Sequence, residues 1–318
     1  MRRFPLVAIA VLSLALALLA SPAVARSSAP SASDDAGQAR AAEHRRVAEY
    51  WTASRRASAV PRDVMLPLGS KPNPRDKPGS GSGDVLGAPW TQGGSVSVTT
   101  GKVFFTSGSS RYVCSGSAVS SSSRSLVLTA GHCAHDGGAT GKYVTNWIFY
   151  PRYSKGPDPA LGAWTASRLV ATNDWTSRTH AFENDAAFAK VGNGTSTTLE
   201  AALAAQGGAA PGISFTRPSS GSKVHAFGYP AARKYNGASL IYCSGSVTIG
   251  YDGRDTQSIP CNMTGGSSGG PWFRGFSSGD APGTLNSVNS YGYKSVKDRM
   301  FGPIFDSQEQ SAYNAANA

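Results

Sequence analysis

The chain is poor in charge. Only 15% of its 318 residues are Asp, Glu, Lys or Arg, and 19 of these are acidic. So few charges, set among 37 glycines, exclude a coiled coil. Cysteine is also scarce: four residues cannot frame a disulfide-dense miniprotein, and neither a CxxC pair nor an HExxH motif occurs. No repeat of fixed period is present, and no run beyond the first 25 residues is apolar enough to span a bilayer. The net charge of +11 invites a nucleic-acid partner. However, residues 1–85 carry 12 basic and 7 acidic residues, so +5 lies there and +6 in the remainder. In that remainder the basic residues stand singly apart from Arg233-Lys234, whereas a nucleic-acid footprint is clustered. The sequence therefore implies no nucleic-acid partner.

What is present begins with an export signal over residues 1–25. Arg2 and Arg3 precede an apolar stretch from Leu6 to Ala20, and Ala23-Val24-Ala25 forms a small-residue cleavage site. The alternative is a membrane anchor, but the stretch is shorter than the ~20 residues a spanning helix needs. A secreted, extracellular protein is implied, with no membrane partner in its mature form. Residues 26–85 read as a pro-segment and linker, with a permanent disordered arm as the alternative. Ser27 to Gly37 is small and polar, which predicts disorder. Ala41 to Ala59 predicts a short helix with Val47, Tyr50, Trp51 and Val60 on one stripe, ending before Pro61. Lys71 to Gly83 is a Pro-, Gly- and Ser-rich linker.

From residue 86 onward, short segments rich in Val, Thr, Tyr and Phe alternate with turn residues, which predicts an all-β, antiparallel architecture. Strands are expected over 95–100, 102–106, 125–128, 144–150, 186–191, 223–229, 240–249 and 286–293. Helices are expected over 197–206 and, C-terminally, over 307–316. The stretch from Gly207 to Gly221 divides this body into halves, about 86–206 and about 207–318.

Three segments carry chemistry. Leu128-Thr129-Ala130-Gly131-His132-Cys133 ends a strand in a turn bearing a histidine, the side chain suited to general-base work near neutral pH. Asn184-Asp185-Ala186-Ala187-Phe188-Ala189 opens an apolar strand with an acid, which needs a partner if buried. Gly265-Gly266-Ser267-Ser268-Gly269-Gly270-Pro271 is a tight turn able to present backbone N–H groups to an anion beside a serine. Each has a bland reading as well: a structural histidine, a capping acid, a flexible Gly/Ser loop. A zinc site from His132, Cys133, His135 and Asp136 is a competitor, although adjacent side chains diverge in an extended chain.

Together the segments give the order His, Asp, Ser, with separations of 53 and 83 residues. With LTAGHC, NDAAFAKV and GGSSGGP in that order, and CSGSAV (114–119) and SVNSYGY (287–293) in support, the chain resembles the chymotrypsin-like (trypsin-fold) serine peptidases. Within them it is most similar to the bacterial branch that includes the glutamyl endopeptidases. The resemblance implies two six-stranded antiparallel β-barrels with a C-terminal helix. It also implies a cofactor-free endopeptidase acting on proteins or peptides, made as a zymogen and working as a monomer. His132, Asp185 and Ser268 would be catalytic, with the N–H groups of Gly266 and Ser268 as the oxyanion hole. Ser268 rather than Ser267 is selected because it directly precedes Gly-Gly-Pro. Ser290, Tyr291 and Gly292 would form the edge that pairs with substrate, and Asn262, Met263 and Ser290 would make a neutral specificity pocket. His225 is a weaker candidate. The resemblance further implies the disulfides Cys114–Cys133 and Cys243–Cys261.

The chain departs from the family in two places. Ser267 stands where trypsin and chymotrypsin carry the aspartate that pairs with the freed N-terminus, so a pro-segment must act differently here. Asn262 and Ser290 replace the residues that select basic or glutamyl side chains. Other readings of the same motifs are a catalytically weak two-barrel binding protein and an esterase using the same residues.

Overall fold

The computed structural model describes residues 32–66 and 83–318. The signal at 1–25 and nearly all of the linker at 71–83 lie outside the described residues.

Two helices, α1 (Ala32–Tyr50) and α2 (Ala53–Ala57), precede two short strands, β1 (Val60–Pro61) and β2 (Met65–Leu66). Then follow β3 (Val85–Pro89), the single-turn α3 (Ser95–Thr99), β4 (Thr100–Ser107), β5 (Ser110–Val119), β6 (Leu126–Thr129) and β7 (Thr145–Pro151). The first half closes with β8 (Trp164–Ala171), α4 (Asn173–Ser177), β9 (Ala187–Gly192) and α5 (Leu199–Ala204). The second half holds β10 (Lys223–Gly228), β11 (Ile241–Ser246), β12 (Thr248–Ile249), β13 (Thr256–Pro260) and β14 (Pro271–Arg274). It ends with β15 (Thr284–Val288), β16 (Gly292–Tyr293), β17 (Arg299–Pro303) and α6 (Ser307–Asn317).

In the first half β5, β4, β7, β8, β9 and β6 pair in sequence and β6 returns to β5, closing a six-stranded barrel. Side-chain alternation explains why both of its surfaces are apolar. On β4, Val103 and Phe105 point into the barrel core with Val127, Leu128, Trp147 and Phe149. Phe104 points outward, and there Val47 and Trp51 of the N-terminal segment cover it together with Val113, Ile148 and Tyr150. Trp51 lies 5.4 Å from Phe104 between ring centroids and donates its Nε1–H to Asn146 O at 2.6 Å. Val47 and Trp51 thus pack the end of α1 and the residue after it onto the barrel.

The second half differs from the expected second barrel. Its strands form a five-stranded sheet, β15-β14-β10-β11-β3, and a three-stranded one, β12-β13-β17, which do not join into a ring among the described residues. β3 takes the edge of β11 in the five-stranded sheet. The Cys243–Cys261 disulfide links the two sheets, and Cys114–Cys133 ties β5 to the turn after β6. α6 starts from an Asp306/Glu309 capping box and packs against β8 and β9.

Three local expectations fail. Residues 95–99 form a helical turn, not a strand: Gly93 and Gly94 turn the chain at φ 65° and 76°, and Asp280 Oδ1 and Gly279 O then accept from Ser95 N and Val96 N. Of the disorder expected over Ser27 to Gly37, residues 32–37 are helical instead, within α1, and residues 27–31 lie outside the described residues. The single helix expected to end before Pro61 breaks at Trp51, where Thr52 caps α2 through its side chain.

Candidate active site

β6 is buried throughout and leads into a 3₁₀ turn, Gly131–Cys133, that carries His132. Gly131 is required there: a Cβ would stand 2.8 Å from Asp185 Oδ1. Asp185 ends the turn before β9 and is fully buried. A buried carboxylate needs donors, and Asp185 has three. His132 N–H donates to Oδ1 at 2.7 Å, His132 Nδ1 lies 2.7 Å from Oδ2, and the Ser290 hydroxyl donates to Oδ2 at 2.5 Å. The carboxylate thereby fixes the imidazole orientation through Nδ1. Nε2 has no hydrogen-bond partner among the described residues.

Ser268 enters from the second half, on the turn before β14. Ser267 donates its hydroxyl to Thr264 O at 2.8 Å, and Gly270 N donates to Ser267 O at 2.9 Å, so Ser267 is spent on the turn itself. Gly269, at φ +80°, fits against the first barrel so closely that a Cβ would stand 2.1 Å from Thr129 Oγ1. Ser115 N donates to Ser268 O at 2.7 Å, fastening the turn to β5. The backbone N–H groups of Gly266 and Ser268 donate to no acceptor among the described residues.

Beside Ser268 opens a cavity of about 330 Å³. Asn262, Met263 and Ser290, expected to make the pocket, line it, together with Tyr291 and Gly292, expected at the substrate edge. It is not neutral, however. Arg233, Lys294, Lys297 and Arg299 line it too, against only Asp63 and Asp298. Ser290 also departs from its expected part, because its hydroxyl is committed to Asp185 and its N–H to Phe301 O. Asn262 Oδ1 accepts from the Tyr235 hydroxyl at 2.6 Å. Tyr291 is buried between Phe182 and Phe301, with its hydroxyl on Asp252 Oδ2 at 2.7 Å. Burial raises the Tyr291 hydroxyl pKa and, with the Asp252 hydrogen bond, lifts Tyr293 to about 12.

His225 stacks on Phe276 at 4.2 Å, apart from the cavity-lining residues, and burial followed by the Lys223 charge pushes it down to about 4. The zinc alternative loses its donors. Cys133 is in a disulfide, Asp136 is paired with Arg62 at 2.8 Å, and His135 Nδ1 accepts from Gly137 N.

Sequence reading missed what lies across this site. Residues 60–66 pass through the cleft: β1 pairs with Tyr112 and Val113 of β5, and β2 pairs with β16. The Ser268 hydroxyl donates to Arg62 O at 3.4 Å instead of meeting His132. Asp63 lines the cavity, where burial raises its carboxyl pKa against the opposing charges of Arg233 and His132. Burial also opposes ionisation of Asp136, but hydrogen bonds from Arg62 and Ser107 outweigh it and hold that carboxyl below the usual range. The local signals in Val60–Leu66 were Val60, read as part of the helix stripe, and Pro61, read as the stop of that helix.

Fold and site together define a peptidase of the trypsin class. Residues 114–279 match the trypsin-like peptidase domain, and the chain belongs to that family. Two solved bacterial-type enzymes are similar over most of it. A thermostable serine protease AL20 from an extremophilic microorganism is 43% identical, covers 70% of this chain and 97% of its own, and superposes with a TM-score of 0.63. The protease Anisep from Arthrobacter nicotinovorans is 43% identical, with 73% and 99% covered and a TM-score of 0.64. A Glu endopeptidase in complex with MPD, 19% identical over 74% of this chain and 98% of its own, shares the fold at a TM-score of 0.56. No curated protein matches the chain. These relationships support a serine peptidase acting on proteins or peptides. Among the described residues no helix is long and apolar enough to cross a membrane.

Proposed function

We propose that this chain is a secreted serine endopeptidase, exported by residues 1–25 and made with a pro-segment, that works through His132, Asp185 and Ser268. Ser268 Oγ attacks the scissile carbonyl while His132 Nε2 takes its proton, and the acyl-enzyme is then hydrolysed by water activated at the same nitrogen. Asp185 holds the tautomer with the proton on Nδ1 and stabilises the imidazolium that forms. The N–H groups of Gly266 and Ser268 receive the oxyanion. Gly292 and its neighbours form the edge to which an extended substrate pairs, and the Ser268 cavity takes the side chain before the scissile bond.

The observation that carries this reading is the fully buried Asp185 carboxylate, 2.7 Å from His132 Nδ1, in a cleft whose other wall is the Ser268 turn. A binding module has no use for a histidine oriented by a buried acid with its second nitrogen unbound. The test is labelling with a serine-directed phosphonate followed by peptide mapping. The adduct is expected on Ser268 and absent from the Ser268→Ala chain; labelling elsewhere, or equal labelling of both, contradicts the reading.

A further inference from the structure

The segment that crosses the cleft is held like a peptide ligand at both ends. Arg62 N donates to Val113 O at 3.2 Å, and Gly292 N donates to Val64 O at 3.1 Å. Both pairings, Val60–Pro61 with Tyr112–Val113 and Met65–Leu66 with Gly292–Tyr293, are parallel. Side chains anchor it as well. The Arg62 guanidinium is bonded to Asp136 at 2.8 Å and lies 5.0 Å over the Tyr112 ring. Gly265 leaves room for the segment: a Cβ there would stand 2.7 Å from the Asp63 Cβ.

Its sense along the cleft is wrong for cleavage. Acyl transfer puts the side chain before the attacked carbonyl in the specificity pocket and the leaving amine toward the histidine. At the Arg62 carbonyl the reverse holds. The side chain after it, Asp63, lines the cavity, while Arg62 is drawn to the opposite wall by Asp136. Moreover, it is the carbonyl oxygen that Ser268 Oγ meets, at 3.4 Å. Attack requires the carbon at Oγ and the oxygen at the Gly266 and Ser268 N–H groups, which donate to no acceptor among the described residues.

We propose that residues 60–66 are an autoinhibitory strap that fills the active-site cleft in the non-cleavable direction, pinned at Arg62 by Asp136 and at Val64 by Gly292. This inference rests on the serine peptidase reading above and adds how that activity is held off. The segment competes for the substrate edge, draws the Ser268 hydroxyl from His132 and blocks the pocket mouth with Asp63. Activity then requires the strap to leave, without the N-terminal salt bridge for which Ser267 provides no acid.

The test compares initial rates of peptide hydrolysis by intact chains, their integrity verified by mass. The chains are wild type, Arg62→Ala, a chain with residues 60–66 replaced by Gly and Ser, and Ser268→Ala as the blank. Freeing the cleft raises the competent fraction, so both strap variants are expected to exceed intact wild type about tenfold or more. A synthetic peptide of residues 58–66 is expected to inhibit the strap-replaced chain competitively and to be recovered uncut. Equal rates in wild type and the strap-replaced chain, with Ser268→Ala silent, overturn the strap. Cleavage of the peptide between Arg62 and Asp63 does so as well. If Ser268→Ala hydrolyses like the rest, the underlying peptidase reading fails instead, and the two failures are thereby distinguished.

Discussion

The Ser290 hydroxyl donates to Asp185 Oδ2 at 2.5 Å, joining the strand edge of the second half to the buried acid of the first. The edge and the catalytic acid are therefore one mechanical unit. Replacing Ser290 by Ala strips one of three donors from a carboxylate that has no access to water. We expect Ser290→Ala to lose about 1–3 kcal/mol of stability, the cost of leaving a buried acceptor short of a partner. Urea unfolding in a Ser268→Ala background, free of self-digestion, reads this directly, and an unchanged midpoint contradicts it.

Trp51 holds the N-terminal segment on the barrel by burying its ring against Phe104 and bonding Asn146 O. Trp51→Ala is expected to cost about 3–5 kcal/mol of local stability, as large-to-small core substitutions do. The loss falls on α1 and not on the barrel. Hydrogen exchange should therefore quicken across residues 32–50 while β4, β5 and β7 keep their protection.

Glu309 is buried in the α6 capping box, where Oε2 accepts from Asp306 N at 2.9 Å and burial, outweighing that bond, pushes its carboxyl up to about 8. The folded chain keeps a proton there that the unfolded chain releases near its ordinary value of 4.5. The contribution is whole below about pH 4.5 and is lost as pH rises through about 8. Glu309→Gln keeps an oxygen for Asp306 N and has no proton to lose. Thermal unfolding across that window should slope downward for the parent and flatten in the variant.

The Cys243–Cys261 bridge closes a sequence separation of 18 residues between the two sheets of the second half. On the chain-entropy account a loop of this size contributes about 3 kcal/mol. Cys243→Ser with Cys261→Ser should lower the denaturation midpoint accordingly. Because Cys261 directly precedes the cavity residues Asn262 and Met263, substrate KM should rise more than kcat falls.

Much of this was legible in the sequence because it is local. Val-, Thr-, Tyr- and Phe-rich segments between turn residues marked β4, β7, β9 and β10 within a residue or two, and the two disulfides followed from family likeness. Two of the three motifs meet as expected, His132 with Asp185 across 53 residues, while the Ser268 hydroxyl bonds Arg62 O. Residues 95–99 misled because Val96, Val98 and Thr99 look like a strand, while the deciding contacts come from Gly279 and Asp280. The charge of the cavity was hidden likewise, since Lys294 and Lys297 reach it from the loop after the motif and Arg299 from the start of β17. The strap was illegible in principle: Arg62 meets Asp136 and Ser268 at separations of 74 and 206 residues, and nothing in Val-Pro-Arg-Asp-Val-Met-Leu announces a partner.

The central claim is acyl transfer through Ser268, and the acyl-enzyme itself tests it most directly. A chromogenic ester or peptide should be turned over by the strap-replaced chain, quenched in acid during the burst, and the protein digested and weighed. The account predicts an acyl mass on the peptide containing Ser268, and none in the His132→Ala or Ser268→Ala chains. Turnover without an adduct, or an adduct on another residue, would contradict it.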